Sequence, residues 1–148
     1  PYPPVKVDHQ LHDGETVGVG DIKLTAHLTP GHTPGCTTWT MPVVENGVRH
    51  TMIDVCSVSV AGNPLVNNTA YPTIVQDYRG SLAKLKTMNA DVFLAAHAGF
   101  FDKDAKLAAR TANGPNPFID PNGLHVFAEK SSAAFEKELA RQQAAAKP

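Results

Sequence analysis

The sequence predicts an α/β fold in which a mostly antiparallel sheet is covered by helices, and three observations support this prediction. The first part of the chain alternates apolar and polar residues between turn signals, as half-buried strands do. The second part carries apolar residues at helical spacing. A short run at 91–95, apolar after its first residue, lies between the helical segments. Antiparallel strands followed by helices around one further strand form a layered α/β or α+β arrangement.

The strand predictions follow in chain order after a turn at an Asp-Gly pair. Residues 22–26 alternate apolar and polar side chains, which is typical of a half-buried strand. Two further strands over 37–44 and 49–56 flank an Asn-Gly pair, and such a pair adopts positive φ at low cost, so the two strands form a hairpin. The apolar run over 91–95 predicts a strand buried on both faces.

Three segments are predicted to be helices. Pro72 suits the first turn of a helix, so the first helix spans 73–88. The second spans 102–110 with Asp102 as its N-cap, and the third spans 124–146. The residues predicted to form the apolar face of the first helix are Ile74, Tyr78, Leu82 and Leu85.

Length and composition indicate one globular unit. The chain has 148 residues, of which 42% are hydrophobic and 18% charged. We interpret residues 1–148 as a single partial domain, with an extended lead-in over 1–8 and a frayed tail over 144–148. The net charge of −1 and the lack of a basic stripe predict no nucleic-acid partner. The apolar runs are too short to span a membrane, so no membrane partner is expected either.

The two cysteines leave two alternatives open. Cys36 and Cys56 could form one disulfide bond, but we favour two small buried residues at strand ends. Two cysteines do not make a zinc finger, which needs closely spaced pairs.

Histidine is frequent, and two of the seven residues point to a metal. His32 lies in a loop stiffened by two prolines, and His97 directly follows the apolar strand over 91–95. Sites gather where strands end, and a rigid loop loses little conformational entropy when a metal binds. Neutral imidazole is a common zinc ligand. The histidines for which we expect a surface position, an ordinary hydrogen bond or no clear role are His9, His12, His27, His50 and His125.

A family resemblance rests on these two histidines and on the segment between them. The segment 29–39 reads TPGHTPGCTTW, and the segment 90–97 reads ADVFLAAH. Between them lie the segment CSVS at 56–59 and the segment DYRGS at 77–81. This set resembles the metallo-β-lactamase superfamily, subclass B3, over roughly residues 5–140. The resemblance implies the C-terminal half of an αββα sandwich.

The resemblance also implies the site residues and the activity. His32 and His97 would each bind one of two zinc ions, and Ser57 and Ser59 would contact the substrate carboxylate. No catalytic residue beyond the metal ligands is expected. Cys56 would become a ligand candidate if the register were shifted by one residue. The implied reaction is zinc-dependent hydrolysis of the β-lactam amide bond, in the bacterial periplasm and in the context of antibiotic resistance.

One departure from the family pattern limits this interpretation. The HxHxDH motif that would supply the other zinc ligands does not occur, since His9 and His12 are spaced as HxxH. We therefore expect a partial or absent zinc site and an isolated chain that is inactive, with an N-terminal half or a second copy as partner. The alternatives are another hydrolase of the same superfamily, acting on a thioester, lactone or phosphodiester, or a metal-free chain with only association behaviour.

Overall fold

The computed structural model describes residues 3–147. Residues 1, 2 and 148 belong to the predicted lead-in and tail and lie outside the described residues. Residues 3–10 are exposed and form no strand or helix, in agreement with an extended lead-in.

Five strands form one sheet in sequential order. The first four make an antiparallel meander, and the fifth pairs with the fourth in parallel, so the prediction of a mostly antiparallel sheet is confirmed. The strands are β1 Thr16–Val19, β2 Ile22–Leu28, β3 Thr37–Glu45, β4 Val48–Val55 and β5 Val92–Ala95.

The predicted hairpin between β3 and β4 is confirmed. Asn46 and Gly47 adopt φ values of 51° and 78°, which a tight turn with two positive φ angles requires. Strand β1 was not predicted, because its four residues are too few to give a periodic pattern. Its pairing with β2, from Thr16 opposite Thr25 to Val19 opposite Ile22, holds it in the sheet.

The prediction that the apolar strand is buried on both faces is wrong. Within residues 3–147, strand β5 lies at the end of the sheet and pairs only with β4, apart from an isolated bridge between Val92 and Ile119. Only Phe93 is fully buried, while its neighbours in the strand are half-buried. An apolar run of four residues does not by itself distinguish a central strand from an edge strand.

The three predicted helices are present with shifted ends. They are α1 Ile74–Thr87, α2 Lys103–Ala109 and α3 Gly123–Ala145. A 3₁₀ turn over Ala98–Phe101, which was not predicted, joins β5 to α2. Asp102 is at the N-cap position of α2, as expected, but it has φ of 53° and makes no side-chain cap hydrogen bond. The left-handed backbone at Asp102 carries the chain out of the 3₁₀ turn, so its side chain does not act as a cap.

The core lies between one face of the sheet and helices α1 and α3. The predicted apolar face of α1 is confirmed, since all four of its residues are buried. The rings of Tyr78 and Phe135 stack with centroids 4.9 Å apart and join α1 to α3. Among the described residues, no helix is long and apolar enough to cross a bilayer. The sheet residues that enter this core are Ile53, Val55 and Phe93.

The opposite face of the sheet carries half-buried apolar side chains. Residues directly opposite each other in neighbouring strands point to the same face of the sheet, and successive residues along one strand point to opposite faces. Because Ile53 points toward the helices, the residues before and after it in β4 point away from them. Asp54 lies in this row, with Trp39 on one side and Leu94 on the other. The half-buried apolar residues of this open face are Val17, Leu24, Trp39, Met41, Met52, Val92 and Leu94.

Cys36 and Cys56 form a disulfide bond, with their Cα atoms 5.8 Å apart. The favoured interpretation of two unlinked buried cysteines is therefore wrong, although Cys36 is buried. The bond links the residue before β3 to the residue after β4. These ends come together because the two strands pair in register from Trp39 opposite Asp54 onward.

Candidate functional site

The chain segments that carry the two predicted metal ligands meet at one edge of the sheet. Strands β4 and β5 are parallel, with Val55 opposite Ala95, and the amide of Ala96 donates to the Val55 carbonyl at 3.0 Å. The segment after β4 and His97 therefore leave the sheet next to each other. The carboxyl ends of neighbouring parallel strands are a common place for a site.

His32 is bound to the segment after β4 through its ring. Its Nδ1 lies 2.8 Å from the carbonyl oxygen of Ser59. A carbonyl oxygen accepts but cannot donate, so Nδ1 carries the proton in this contact. In the neutral ring, Nε2 then has a free lone pair, and this is the arrangement in which a histidine binds a metal.

Three further hydrogen bonds hold the His32 loop and the Ser59 carbonyl in place. The Tyr78 hydroxyl donates to that same carbonyl at 2.8 Å. The Asn63 amide donates to the backbone carbonyl of His32 at 3.0 Å, and the Ser81 hydroxyl donates to the carbonyl of Pro30 at 2.6 Å. The loop is thus ordered by contacts from α1 and from the segment after β4, as pre-organisation of a ligand requires.

Gly31 is needed for this loop to approach α1. Its φ is +144°, and a Cβ atom there would lie 2.9 Å from the Tyr78 ring. By contrast, a Cβ at Gly35 would meet nothing within 4 Å. The first glycine of the TPGHTPG segment therefore has a packing role at the site, and the second does not.

Tyr71 lies close to the His32 loop and is neutral. Burial, together with the nearby carboxylate of Asp77, raises the pKa of Tyr71 to about 12. Asp77 acts on the phenol electrostatically, but no group among residues 3–147 meets hydrogen-bond geometry with the buried Tyr71 hydroxyl. Burial also raises the pKa of Tyr78 above its ordinary value.

His97 lies two residues after the end of β5 in an exposed position. Its backbone is extended, with φ of −125° and ψ of 133°, and the 3₁₀ turn starts at the next residue. The edge of its ring contacts the Phe100 ring, with centroids 5.2 Å apart. This contact orients the imidazole without occupying either ring nitrogen.

The two predicted substrate-binding serines contact each other. The hydroxyl oxygens of Ser57 and Ser59 are 2.9 Å apart. Ser57 is buried, whereas Ser59 is half-buried and lines a cavity. Because one hydroxyl donates to the other, the pair keeps one proton for an external acceptor.

The other metal candidates lie in ordinary contacts. The Cys56 sulfur is in the disulfide and offers no thiolate, so the alternative in which Cys56 is a ligand is wrong. His27 contacts Thr40 at 2.8 Å, and His125 contacts Asn89 at 3.2 Å. The remaining histidines lie in exposed or strand positions away from the His32 loop, with His9 2.5 Å from Glu15, and His50 4.0 Å from Asp91.

The side chains that could donate to a metal show whether the described residues suit zinc. His32 suits zinc, because a backbone carbonyl holds its Nδ1 atom and its Nε2 atom is free to bind the metal. However, no group of three or more metal-ligating side chains occurs within residues 3–147. A zinc site takes three or four protein ligands, so the described residues do not complete one.

A cavity of about 740 Å³ opens beside the two predicted ligand segments. Its walls come from the segment after β4, the 3₁₀ turn after His97 and helix α3. Sequence reasoning did not identify this cavity. The adjacent pair Phe100 and Phe101, directly after a candidate ligand, was the one local signal that could have indicated it.

Comparison with solved structures identifies proteins of the same fold. The chain is 44% identical to BJP-1, a subclass B3 metallo-β-lactamase of Bradyrhizobium japonicum, with a TM-score of 0.94 over 99% of this chain and 55% of that chain. It is 43% identical to the FEZ-1 metallo-β-lactamase of Legionella gormanii, with a TM-score of 0.89 over 96% of this chain and 55% of that chain. It is 42% identical to a metallo-β-lactamase of Cronobacter sakazakii, with a TM-score of 0.85 over 97% of this chain and 54% of that chain.

These matches confirm the predicted resemblance and the predicted fold class. The chain spans about half the length of the solved structures that it matches. No family model matches the chain.

Proposed function

We propose that the chain forms part of a site that hydrolyses the β-lactam amide bond, because it resembles subclass B3 metallo-β-lactamases in fold and sequence and spans about half their length. In this proposal His32 and His97 are zinc ligands, and residues outside this chain supply the other ligands. Antibiotic resistance and a periplasmic location are parts of the same proposal.

The observation that carries the proposal is the contact between His32 and Ser59. One hydrogen bond of 2.8 Å links the predicted zinc ligand to the residue whose hydroxyl is predicted to bind substrate. A backbone carbonyl that orients a histidine is a common feature of zinc sites, since it fixes which ring nitrogen faces the metal. Bound zinc would supply Lewis-acid chemistry at this edge of the sheet.

The serine pair supplies a directed hydrogen-bond donor. In our proposal the buried Ser57 hydroxyl donates to the Ser59 oxygen, 2.9 Å away. The Ser59 hydroxyl then donates to the carboxylate of the substrate from the cavity wall. A hydrogen bond to a charged acceptor contributes about 1.5–3 kcal/mol, so this donor would contribute to the orientation of the ring.

We also propose that the open face of the sheet binds a partner polypeptide. Its apolar side chains are half-buried, while the helices cover only the other face. An apolar face of this kind favours association, and the partner would be either the remaining part of such an enzyme or a second copy. The chain alone would then be inactive.

The test compares the chain alone with a complemented mixture. The second component is the part of the Bradyrhizobium japonicum enzyme that this chain does not match. We would measure zinc per chain and the turnover of a chromogenic cephalosporin. We expect turnover only in the mixture. Zinc content should fall in the mixture with His32→Ala or His97→Ala, whereas the control His125→Ala should leave it unchanged.

The outcomes separate the candidate functions. Zinc uptake in the mixture without β-lactam turnover would argue for another hydrolase of the superfamily. Unchanged zinc content in both histidine variants would remove the ligand assignments. A stable complex that takes up no zinc would leave only association behaviour.

A further inference from the structure

The cavity beside the predicted site is large enough for a small molecule. Its volume of about 740 Å³ lies within the range of ligand pockets, which is about 300–1,000 Å³. The buried rings of Phe93 and Phe135 lie at its floor, since each is only 1% exposed. The cavity therefore reaches the core and is open to solvent at the other end.

Two residues of the cavity wall also contact the predicted zinc ligands. Ser59 lines the cavity, and its carbonyl accepts the His32 ring proton at 2.8 Å. Phe100 lines the cavity, and its ring contacts the His97 ring at a centroid distance of 5.2 Å. A molecule bound by the Ser59 hydroxyl would therefore have the cavity directly beside it.

The wall is unusually rich in phenylalanine. Five of the six phenylalanines line it, and three of them form a cluster of contacting rings. Phe127 contacts Phe93 at 4.9 Å and Phe100 at 5.5 Å between centroids. Aromatic rings at 4.5–7 Å in tilted or offset geometry attract each other beyond simple burial, so such a wall favours an aromatic guest.

The charged groups that line the cavity balance one another. Lys106 is 3.3 Å from Asp120, and Glu138 is paired with Arg141 at 2.6 Å. The two other charged wall residues, Asp102 and Lys130, are exposed and of opposite sign. The guest group is therefore expected to be neutral.

We propose that this cavity binds a neutral aromatic substituent of a cephalosporin, namely the group on the ring carbon next to the one that bears the carboxylate. The proposal rests on the proposed function, because it places the carboxylate at the Ser59 hydroxyl. A substituent next to that carboxylate is the part of the molecule that Ser59 would direct into the cavity. The phenylalanine cluster would then enclose its ring.

The experiment measures binding without hydrolysis. The metal-free chain, kept in chelator, is titrated by calorimetry with a cephalosporin bearing a styryl group at that carbon. The comparison ligand is the same cephalosporin with a methyl group there. Burying a phenyl ring removes roughly 100 Å² of apolar surface at about 25 cal/mol per Å². We therefore expect the styryl compound to bind at least about tenfold more tightly.

A matched pair of variants locates the binding. Ala134 and Ala133 are both exposed on α3, but only Ala134 lines the cavity. Ala134→Trp should remove the advantage of the styryl compound, and Ala133→Trp should keep it. If Ala134→Trp does not fold, amide chemical shifts of the unchanged chain replace it. On addition of the styryl compound they should change mainly in 58–62, 99–102 and α3.

Equal affinity for the two cephalosporins would overturn the inference, as would equal effects of the two tryptophan variants or shift changes elsewhere. Failure of the proposed function gives a different result: the complemented mixture shows no turnover, while the metal-free chain still binds the styryl compound more tightly than the methyl compound. Turnover in the mixture without any styryl preference would remove the cavity inference alone.

Discussion

The Nδ1 atom of His32 lies 2.8 Å from the carbonyl oxygen of Ser59, which also accepts the Tyr78 hydroxyl proton at 2.8 Å. The orientation of the predicted zinc ligand thus depends on one carbonyl after β4 and on one phenol of α1. This relationship makes the His32 loop sensitive to changes that leave its own residues intact.

Removing the phenol should loosen the site. Tyr78→Phe keeps the ring that stacks on Phe135 but removes the donor to Ser59. We expect a loss of about 1 kcal/mol in the free energy of unfolding, the usual net value of one hydrogen bond. Urea denaturation measures this loss, and zinc uptake in the complemented mixture should weaken with it.

The control for this change is Tyr71→Phe. The Tyr71 hydroxyl is buried with no hydrogen-bond partner in the described part of the chain, so its removal should be neutral or stabilising. Equal losses of unfolding free energy in the two variants would show that the hydrogen bond to Ser59 does not stabilise the chain.

The two glycines of the TPGHTPG segment should respond differently to alanine. Gly31→Ala places a Cβ 2.9 Å from the Tyr78 ring at φ of +144°, so the loop must move away from α1. We expect a cost of about 1–3 kcal/mol, which is typical of backbone strain. Gly35→Ala meets nothing within 4 Å and should be nearly neutral. Thermal unfolding of both variants measures the difference, and similar melting temperatures would contradict the packing role of Gly31.

The disulfide should stabilise the β3–β4 region. Cys36 and Cys56 are 20 residues apart, and a loop of that length corresponds to about 3 kcal/mol of unfolded-state entropy. The double variant Cys36→Ala, Cys56→Ala should lose stability of that order in non-reducing denaturation. Adding a reductant should lower the stability of the unchanged chain and leave that of the double variant as it was. If the reductant lowered the stability of both the unchanged chain and the double variant, the effect would not come from this disulfide.

Asp54 should make stability depend on pH in the acid range. The neighbouring apolar side chains of the open sheet face partly desolvate this exposed carboxyl and raise its pKa above 3.8. The folded state therefore binds this proton more tightly than the unfolded state does. The stabilisation that comes from this tighter proton binding is fully present below pH 3.8 and is lost as the pH rises through the raised pKa of Asp54.

Asp54→Asn tests this dependence. We expect the variant to be more stable than the unchanged chain at pH 7 and to lose that advantage below about pH 3, where the native carboxyl is protonated too. Asp21→Asn, at an exposed position on the β1–β2 turn, serves as the control. Denaturation at several pH values measures both, and a constant difference across the range would remove the role of the carboxyl.

Local features of the fold could be predicted from the sequence because their causes are local. The Asn46-Gly47 turn and the helical spacing of the α1 face depend on residues a few positions apart, and both are confirmed. Strand β1 and the 3₁₀ turn after His97 were missed because each is too short for a periodic pattern.

The candidate site shows the same difference between local and long-range causes. His32, His97, Ser57 and Ser59 were identified as candidates from a stiff loop, a strand end and a family resemblance, and their roles stay predictions. The bond between Cys36 and Cys56, the contact by which Ser59 orients His32 and the cavity lined by five phenylalanines became visible in the folded chain. These contacts join segments about 20 or more residues apart, and strand register and helix packing bring them together without any local sequence pattern.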